Sequence, residues 1–412
     1  MRLSVLAVLV TVLLCVGSGC GSKSSPSFSP EMLTPPVTPG SGQPRLQVDS
    51  EGTMWLSWLA PLGGEDQYAL RYTRRTDTRW TDPATVATGT DWFVNWADLP
   101  SVHPLPDGRI AAHYLESNGE RALAYAVRIT QTTGDGTWHP PVTPHRDATP
   151  TEHGFVSLLP WENHQLLTVW LDGRKMSDDG HGQGEMTLRG AVLDSTGTVT
   201  HRAVLDSRTC ECCATSAVRI GAEALVAYRD RSTEEIRDIH LVRFDGEQWS
   251  DPMPLHDDGW KIEGCPVNGP VLAAQDGRVV AAWFTAANGK PRVKTAFSDN
   301  GGHQFTEPVI VADGQTKGRV DAVLLDDGTA IVSWLGEQED RGVIQVRAVS
   351  PDGPTSPPKT IGTVPSASRS VGFPQLVRRK EQLYGAWVGP DSADASTVRV
   401  VRTPISAVHS GS

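Results

Sequence analysis

The chain lacks a basic block: 37 Lys and Arg stand against 48 Asp and Glu, for a formal charge of −11 over 412 residues. That balance argues against nucleic acid, or an anionic membrane surface, as the main partner. Long Ala/Glu/Lys/Leu-rich stretches are absent too, so long helices are not expected. Cysteine is scarce, with six in all, two of them in the first twenty residues. The one uncharged N-terminal run, Leu3 to Val16, has fourteen residues; it is too short to span a bilayer but suits the apolar region of a signal peptide. What the chain does have is 40 Gly, 30 Pro and 13 Trp, the composition of many short strands joined by tight turns. It reads as all-β.

A strand motif ending in an aromatic residue or His recurs along the chain, anchored at Trp58, His113, Trp170, Tyr228, Trp283, Trp334 and Trp387. The intervals are 55, 57, 58, 55, 51 and 53 residues. Periods near 50 with about four strands each are the pattern of β-propeller blades, because one blade cannot bury both faces without neighbours stacked around an axis. Seven anchors predict a seven-bladed β-propeller. The fourth strand of each unit opens with aromatic-x-x-Pro, as at Trp80…Pro83, Trp138…Pro141, Trp249…Pro252 and Phe305…Pro308. Proline fits an outer edge strand, where no partner needs its missing N–H. The last unit runs out near Thr403, while Met32-Leu-Thr-Pro35-Pro-Val offers a spare outer strand. Residues of about 32–39 are therefore expected to close the last blade.

Two resemblances add to this reading. Ser298-Asp-Asn300-Gly-Gly302-His-Gln-Phe305 resembles the Asp-box, S-x-D-x-G-x-x-W, of the sialidase (BNR-repeat) superfamily, with Asn300 and Phe305 as departures and weaker copies at 132–138, 244–249 and 350–353. The motif implies a sialidase-like propeller and stabilises turns on the face away from an active site, so it speaks to fold and not to chemistry. Sialidases are six-bladed, which makes six blades the alternative. Their [F/Y]-R-I-P motif is missing, and true sialidase activity is not expected. Gly17-Ser18-Gly19-Cys20 resembles a bacterial lipoprotein signal, with Gly17 where that family has Leu. The resemblance implies removal of residues 1–19, lipidation of Cys20, a flexible tether over 20–30 and one propeller domain over 31–408. Gly21 in place of an inner-membrane-retaining Asp points to the outer membrane of the cell envelope. The alternative is an ordinary secreted protein whose Cys20 pairs elsewhere. A monomer is expected, touching the membrane through its anchor only.

In a propeller of this strand order the inter-blade loops and the loops between second and third strands open on one face. The six segments richest in Trp, Cys, His, Arg and carboxylates all belong there: 91–98, 151–155, 171–185, 207–215, 228–238 and 258–270. A chemically loaded face of this kind marks a binding or catalytic site. Trp92, Asn95, Asp98, His153, Asp172, Arg174, Arg231 and Asn268 are the candidates for ligand binding, and Trp92, Trp96 and Trp260 can stack on sugar rings or fill core. The hairpin from Arg229 to Asp238 carries three Arg and four carboxylates. It reads either as an anion clamp or as an internal ion-pair network. A glycosidase would need a carboxylate pair at defined spacing; Asp230, Glu235 and Asp238, with Arg229 and Arg237, are the catalytic candidates, though no spacing singles out a pair. Asp178, Asp179 and His181 form a lesser candidate for metal contact.

Cys210, Cys212, Cys213 and Cys265 enter blades 4 and 5 and leave three readings open. They are two disulfides in an oxidising compartment, a soft-metal site for copper or zinc, or a redox pair at the C-x-x-C spacing of Cys210 and Cys213. Overall the sequence predicts a ligand-binding propeller, for a glycan, an anionic small molecule or a protein, with the cysteines as staples. The alternative is an enzyme: a glycoside hydrolase or lyase, or a thiolate metal or redox protein.

Overall fold

The computed structural model describes residues 28–64, 66–176, 184–368, 373–390 and 396–409. Seven antiparallel sheets follow one another along the chain as the blades of a propeller. Blade 1 holds Gly42–Val48, Met54–Pro61, Tyr68–Arg75 and Ala84–Gly89. Blade 3 begins at His153, blade 4 at Ser216, blade 5 at Val271, blade 6 at Thr316 and blade 7 at Gln375. The expected leader, Cys20 and most of the expected tether lie outside the described residues.

Second strands are the most deeply buried. Met54–Pro61 and Ala330–Gln338 are apolar almost throughout and buried at nearly every position, as a strand must be when both faces of its sheet pack on neighbouring blades. All seven anchors lie in these strands and all are buried, including the polar His113 and Tyr228. Truncating one of the Trp anchors to Ala would cost about 3–5 kcal/mol through lost contacts and a cavity. Fourth strands are far less buried, as in Ala84–Gly89, where only Val86 is buried, because they lie at the outer edge.

The ring closes through the N-terminus. Glu31–Leu33 pairs with the last strand, Glu31 opposite Arg402, Met32 opposite Val401 and Leu33 opposite Val400. This is the expected closure, confined to three residues at the start of the expected segment. Blade 2 departs from the four-strand expectation: Ser101–Pro104, Ile110–Ser117 and Tyr125–Gln131 form its ladder, and the fourth position shrinks to isolated bridges, Ile129 with Val142 and Thr132 with Trp138. Pro140, Pro141 and Pro144 surround the Val142 bridge and cannot donate to a ladder.

On the face opposite the site, Asp and Asn side chains hold the turns. Asp49 accepts from Glu51 N and Thr53 N, and Asp194 from Thr196 N and Thr198 N. In the Asp-box-like turn, Ser298 Oγ accepts from Gly302 N at 2.9 Å and Asn300 Oδ1 from Gln304 N at 3.0 Å. Asn300 thus performs the acceptor role of the Asp it replaces.

Candidate functional site

Five of the six loaded segments meet at the other end of the ring, around a cavity of about 800 Å3. Segment 91–98 contributes Asn95 and Trp96, 151–155 contributes Glu152 and Phe155, and 207–215 contributes Glu211 and Cys212. Segment 228–238 adds Arg231, Glu235 and Arg237, and 258–270 adds Glu263, Cys265 and Val267. A second cavity shares Ala97, Cys212 and Val267 with the first, and a third shares Arg45 with the second. The three cavities thus adjoin one another.

Backbone strain gathers at the cavity floor. Phe155 and Val267 both take left-handed conformations, with φ of 54 and 51 degrees, a cost of about 1–3 kcal/mol each. Buried side chains hold such turns in place. Asp98, before blade 2, accepts from Phe155 N in blade 3 at 2.9 Å, and in the same way Asn268 Oδ1, before blade 5, accepts from Arg319 N in blade 6 at 2.8 Å, Arg319 being another left-handed residue. Asp98 and Asn268 therefore act beneath the cavity as braces. Burial pushes the Asp98 carboxyl up to about 7, against the hydrogen bonds from Phe155 and Tyr125.

Glu152 and Tyr125 escaped the sequence reading. The Tyr125 hydroxyl donates at 2.9 Å to Glu152 Oε1 and lies 3.1 Å from Asp98 Oδ2. Burial pushes the Glu152 carboxyl up to about 8, helped by the negative charge of Asp98. A protonated carboxylic acid thus lines the cavity at neutral pH. The only sequence signal was its place beside His153 in an already prominent segment.

The Arg/Glu hairpin is an ion-pair network. Glu211 accepts from Arg231 Nη1 and, at 2.7 Å, from Arg237 Nη1. Glu235 accepts from Arg231 Nη2 at 2.7 Å, Arg237 Nη2 at 3.0 Å and Arg208 Nη2 at 3.3 Å. The Arg231 hydrogen bonds, with those of Arg237, hold the Glu235 carboxyl down at about 2, so it is an ionised partner of arginines and not a proton carrier. Arg229 donates to three carbonyls, of Asn268, Arg237 and Phe284. Asp238 accepts from Gly259 N and Trp260 N. Arg229 and Asp238 are therefore braces too, spent on backbone. Asp230 sits apart, clustered with Asp206 and His240, and burial together with the Asp206 charge pushes it up to about 7.

Trp92 is core: it is buried, stacked on Tyr114 at 4.7 Å and packed among Leu59 and Leu70. Trp260 is likewise buried, edge-on to Phe284. Trp96 lines the cavity, as does Phe155. From segment 171–185, Asp172 and Arg174 lie off the cavity, and Asp178, Asp179 and His181 lie outside the described residues. His153 Nε2 donates to Asp147 Oδ2 at 3.0 Å and its Nδ1 meets the Thr151 carbonyl at 2.9 Å, while Arg174 binds Asp172 at 2.6 Å and Asp147 at 2.8 Å. His145 stacks on His153 at 3.9 Å. Neither Asp147 nor His145 was singled out from sequence.

Burial works against the charged His153, but its bond to Asp147 and the charge of Asp172 win and raise its pKa. The Asp147 carboxyl is held well below its ordinary value by His145 and His153, again against burial. A raised His stabilises fully below its unfolded pKa of about 6.5 and fades as pH climbs past its folded value; a lowered Asp stabilises above about 4 and fades as pH falls. The network is strongest between roughly pH 4 and 6.5. Asp147→Asn is expected to lower the stability inside that window and to flatten the pH dependence of unfolding on either side of it, read from urea midpoints; an unchanged profile would remove the network from the stability account.

No disulfide joins Cys210, Cys212, Cys213 or Cys265. Cys210 Sγ lies 3.0 Å from Cys213 Sγ and 3.9 Å from Cys212 Sγ, and Cys265 on the neighbouring loop hydrogen-bonds Cys212. Arg237 Nη1 donates to Cys210 Sγ at 3.4 Å. Burial pushes the Cys210 thiol up to about 11.

No protein-family model matches the chain, and no curated protein does. Among solved structures it is similar to an ulvan lyase, a polysaccharide lyase bound to -[GlcA(1-4)Rha3S]-, at 12% identity and TM-score 0.54 over 92% of this chain and 97% of the other. It is also similar to an α-L-arabinanase of Penicillium chrysogenum at 13% identity and TM-score 0.46, over 76% and 94% of the two chains. A NanB sialidase mutant from Streptococcus pneumoniae matches at 12% identity and TM-score 0.44, over 93% and 70%. Identities this low speak of a shared propeller fold, and of the three the lyase carries that likeness.

Proposed function

We propose that the axial cavity binds a polyhydroxylated, uncharged ligand, a stretch of glycan. One observation carries the reading: both arginines at the cavity, Arg231 and Arg237, are already committed to Glu211 and Glu235. The wall keeps an aromatic face, Trp96, and polar groups such as Asn95 and Glu263, but reserves no guanidinium for an anion. An aromatic platform with convergent polar groups is how a concave site takes up a saccharide ring. Screening the protein on an array of neutral and acidic glycans tests this. Binding is expected among the neutral ones, and Trp96→Ala should weaken it about 10-fold or more; binding confined to uronic or sialic acids would overturn the reading.

A second reading is favoured by Glu152. Its protonated carboxyl beside Tyr125 is poised as a general acid, which would make the protein a glycan-cleaving enzyme. Turnover on a bound glycan should then fall as pH rises through about 8 and vanish in Glu152→Gln while binding persists. Glu152→Gln with full turnover would confine the site to binding. The proposal includes export and anchoring through Cys20 in the cell envelope, supported by the Leu3–Val16 run and the Ser/Pro/Gly segment after Cys20. Fatty-acid labelling that survives Cys20→Ser would contradict the anchor.

A further inference from the structure

We propose that Cys210, Cys212, Cys213 and Cys265 form a thiolate site for a soft d10 cation, Cu(I) or Zn(II), at the floor of the axial cavity. The inference is independent of which ligand the cavity takes.

Three observations converge on it. First, the Sγ atoms of Cys210, Cys212 and Cys213 lie within 4.8 Å of one another, and Cys265 reaches Cys212 from the adjacent loop. Thiolates at about 2.3 Å from a tetrahedral metal sit about 3.8 Å apart; Cys210 and Cys212 are 3.9 Å apart, while Cys210 and Cys213, at 3.0 Å, must open slightly.

Second, the surrounding charge asks for anionic sulfur. The buried guanidinium of Arg229 meets three carbonyls and the face of Trp260 at 4.9 Å, and among the described residues no carboxylate lies within ion-pair distance of it. Arg231 and Arg237 are matched by Glu211 and Glu235. The Arg229 charge therefore has no carboxylate partner among the described residues, and it lies in the buried shell beside Cys213; a buried charge without a counter-ion is costly. Two disulfides would be neutral and leave it unmatched. A soft cation held by three or four thiolates carries net negative charge and matches it, with Arg237 donating to Cys210 as an outer-shell partner.

Third, the site is reachable. Cys212 and Cys265 line the cavity, whereas Cys210 and Cys213 are fully buried behind them. A metal can enter from the cavity and be held where solvent does not compete, which suits a stable site. Thiols that bind give their protons to solvent.

The test is a titration of the full chain, purified reduced and without chelator, with Cu(I) in one arm and Zn(II) in the other under anaerobic conditions. Metal retained after desalting is counted against free thiols, and ultraviolet thiolate-to-metal absorbance is followed. One equivalent per chain, with the thiols shielded from alkylation, is the expected result; displacement of zinc by copper would assign copper, and resistance to it zinc. Cys212→Ser should weaken retention by about 100-fold or more. Should that variant not fold, Cys265→Ser at the half-exposed cavity edge gives the same readout. Two disulfides in protein isolated under air-free conditions, or no retention of either metal by fully reduced protein, would overturn the proposal.

Discussion

Glu211→Ala is expected to destabilise the protein by about 3–5 kcal/mol, the largest effect of any single charged side chain on the site face. Glu211 is buried to 1% exposure and lies between Arg231 and Arg237 on the loop that carries the cysteines. Its removal leaves two buried guanidiniums that share Glu235 as their remaining carboxylate among the described residues, and truncating one partner of such a set costs far more than the set contributes when whole. Glu185 provides the contrast. It lies 3.9–4.0 Å from Arg208 and Lys175 and its side chain is 44% exposed, so Glu185→Ala should cost less than about 0.5 kcal/mol. Urea denaturation separates the two, by a large shift in midpoint at constant slope for Glu211 and almost none for Glu185. Equal shifts would mean that the hairpin charges are solvated and that the network does not hold the cysteine loop.

Gly269→Ala is the second large effect, expected at about 1–3 kcal/mol from overpacking. A Cβ there would lie 2.0 Å from the Ala214 carbonyl oxygen, with Ala214 C and N at 2.8 and 2.9 Å. All three are backbone atoms, so the loop over 264–269 must move away from the loop over 210–215. That separates Cys265 from Cys212, and Cys265 should be alkylated faster in the variant than in the parent. Gly264, with nothing within 4 Å of its Cβ position, is the matched control. Unchanged Cys265 reactivity in Gly269→Ala would show that the two loops are not held in register by this contact.

These two residues also show where sequence reasoning stops. The seven-fold repeat was legible because each blade writes it locally: an apolar second strand with one bulky anchor, from Trp58 to Trp387, at intervals that a ring of similar blades demands. Ring closure was legible for the same reason, since the last unit lacked a strand and the N-terminus offered one. Blade 2 was harder, because Trp138…Pro141 carries the edge-strand motif yet Pro140 and Pro144 remove neighbouring donors. In the site, the cysteines and arginines were conspicuous by type, but their partners lie on other loops. Nothing in the run Cys210-Glu211-Cys212 says that Glu211 answers Arg231 and Arg237, and nothing near Asn268 announces that it holds Arg319. Tyr125 reads as ordinary strand and Glu152 as a neighbour of His153, and only the meeting of two blades makes them one hydrogen-bonded pair. Trp92 misled in the opposite sense, since its ring turns into the core between blades 1 and 2 while Trp96, four residues on, turns to the cavity.

The central claim, that the ligand occupies the axial cavity over the cysteine floor, is tested most directly by protection of Cys265. Its thiol lines the cavity and is partly exposed where the other three are buried, so in reduced, metal-free protein it should be the first of the four to react with a maleimide, followed by mass-resolved peptide analysis. A glycan that binds should slow that reaction by about the ratio of free to total protein, and Trp96→Ala should abolish the protection along with the binding. Glycan binding that leaves Cys265 as reactive as before would place the ligand elsewhere on the propeller and contradict the account.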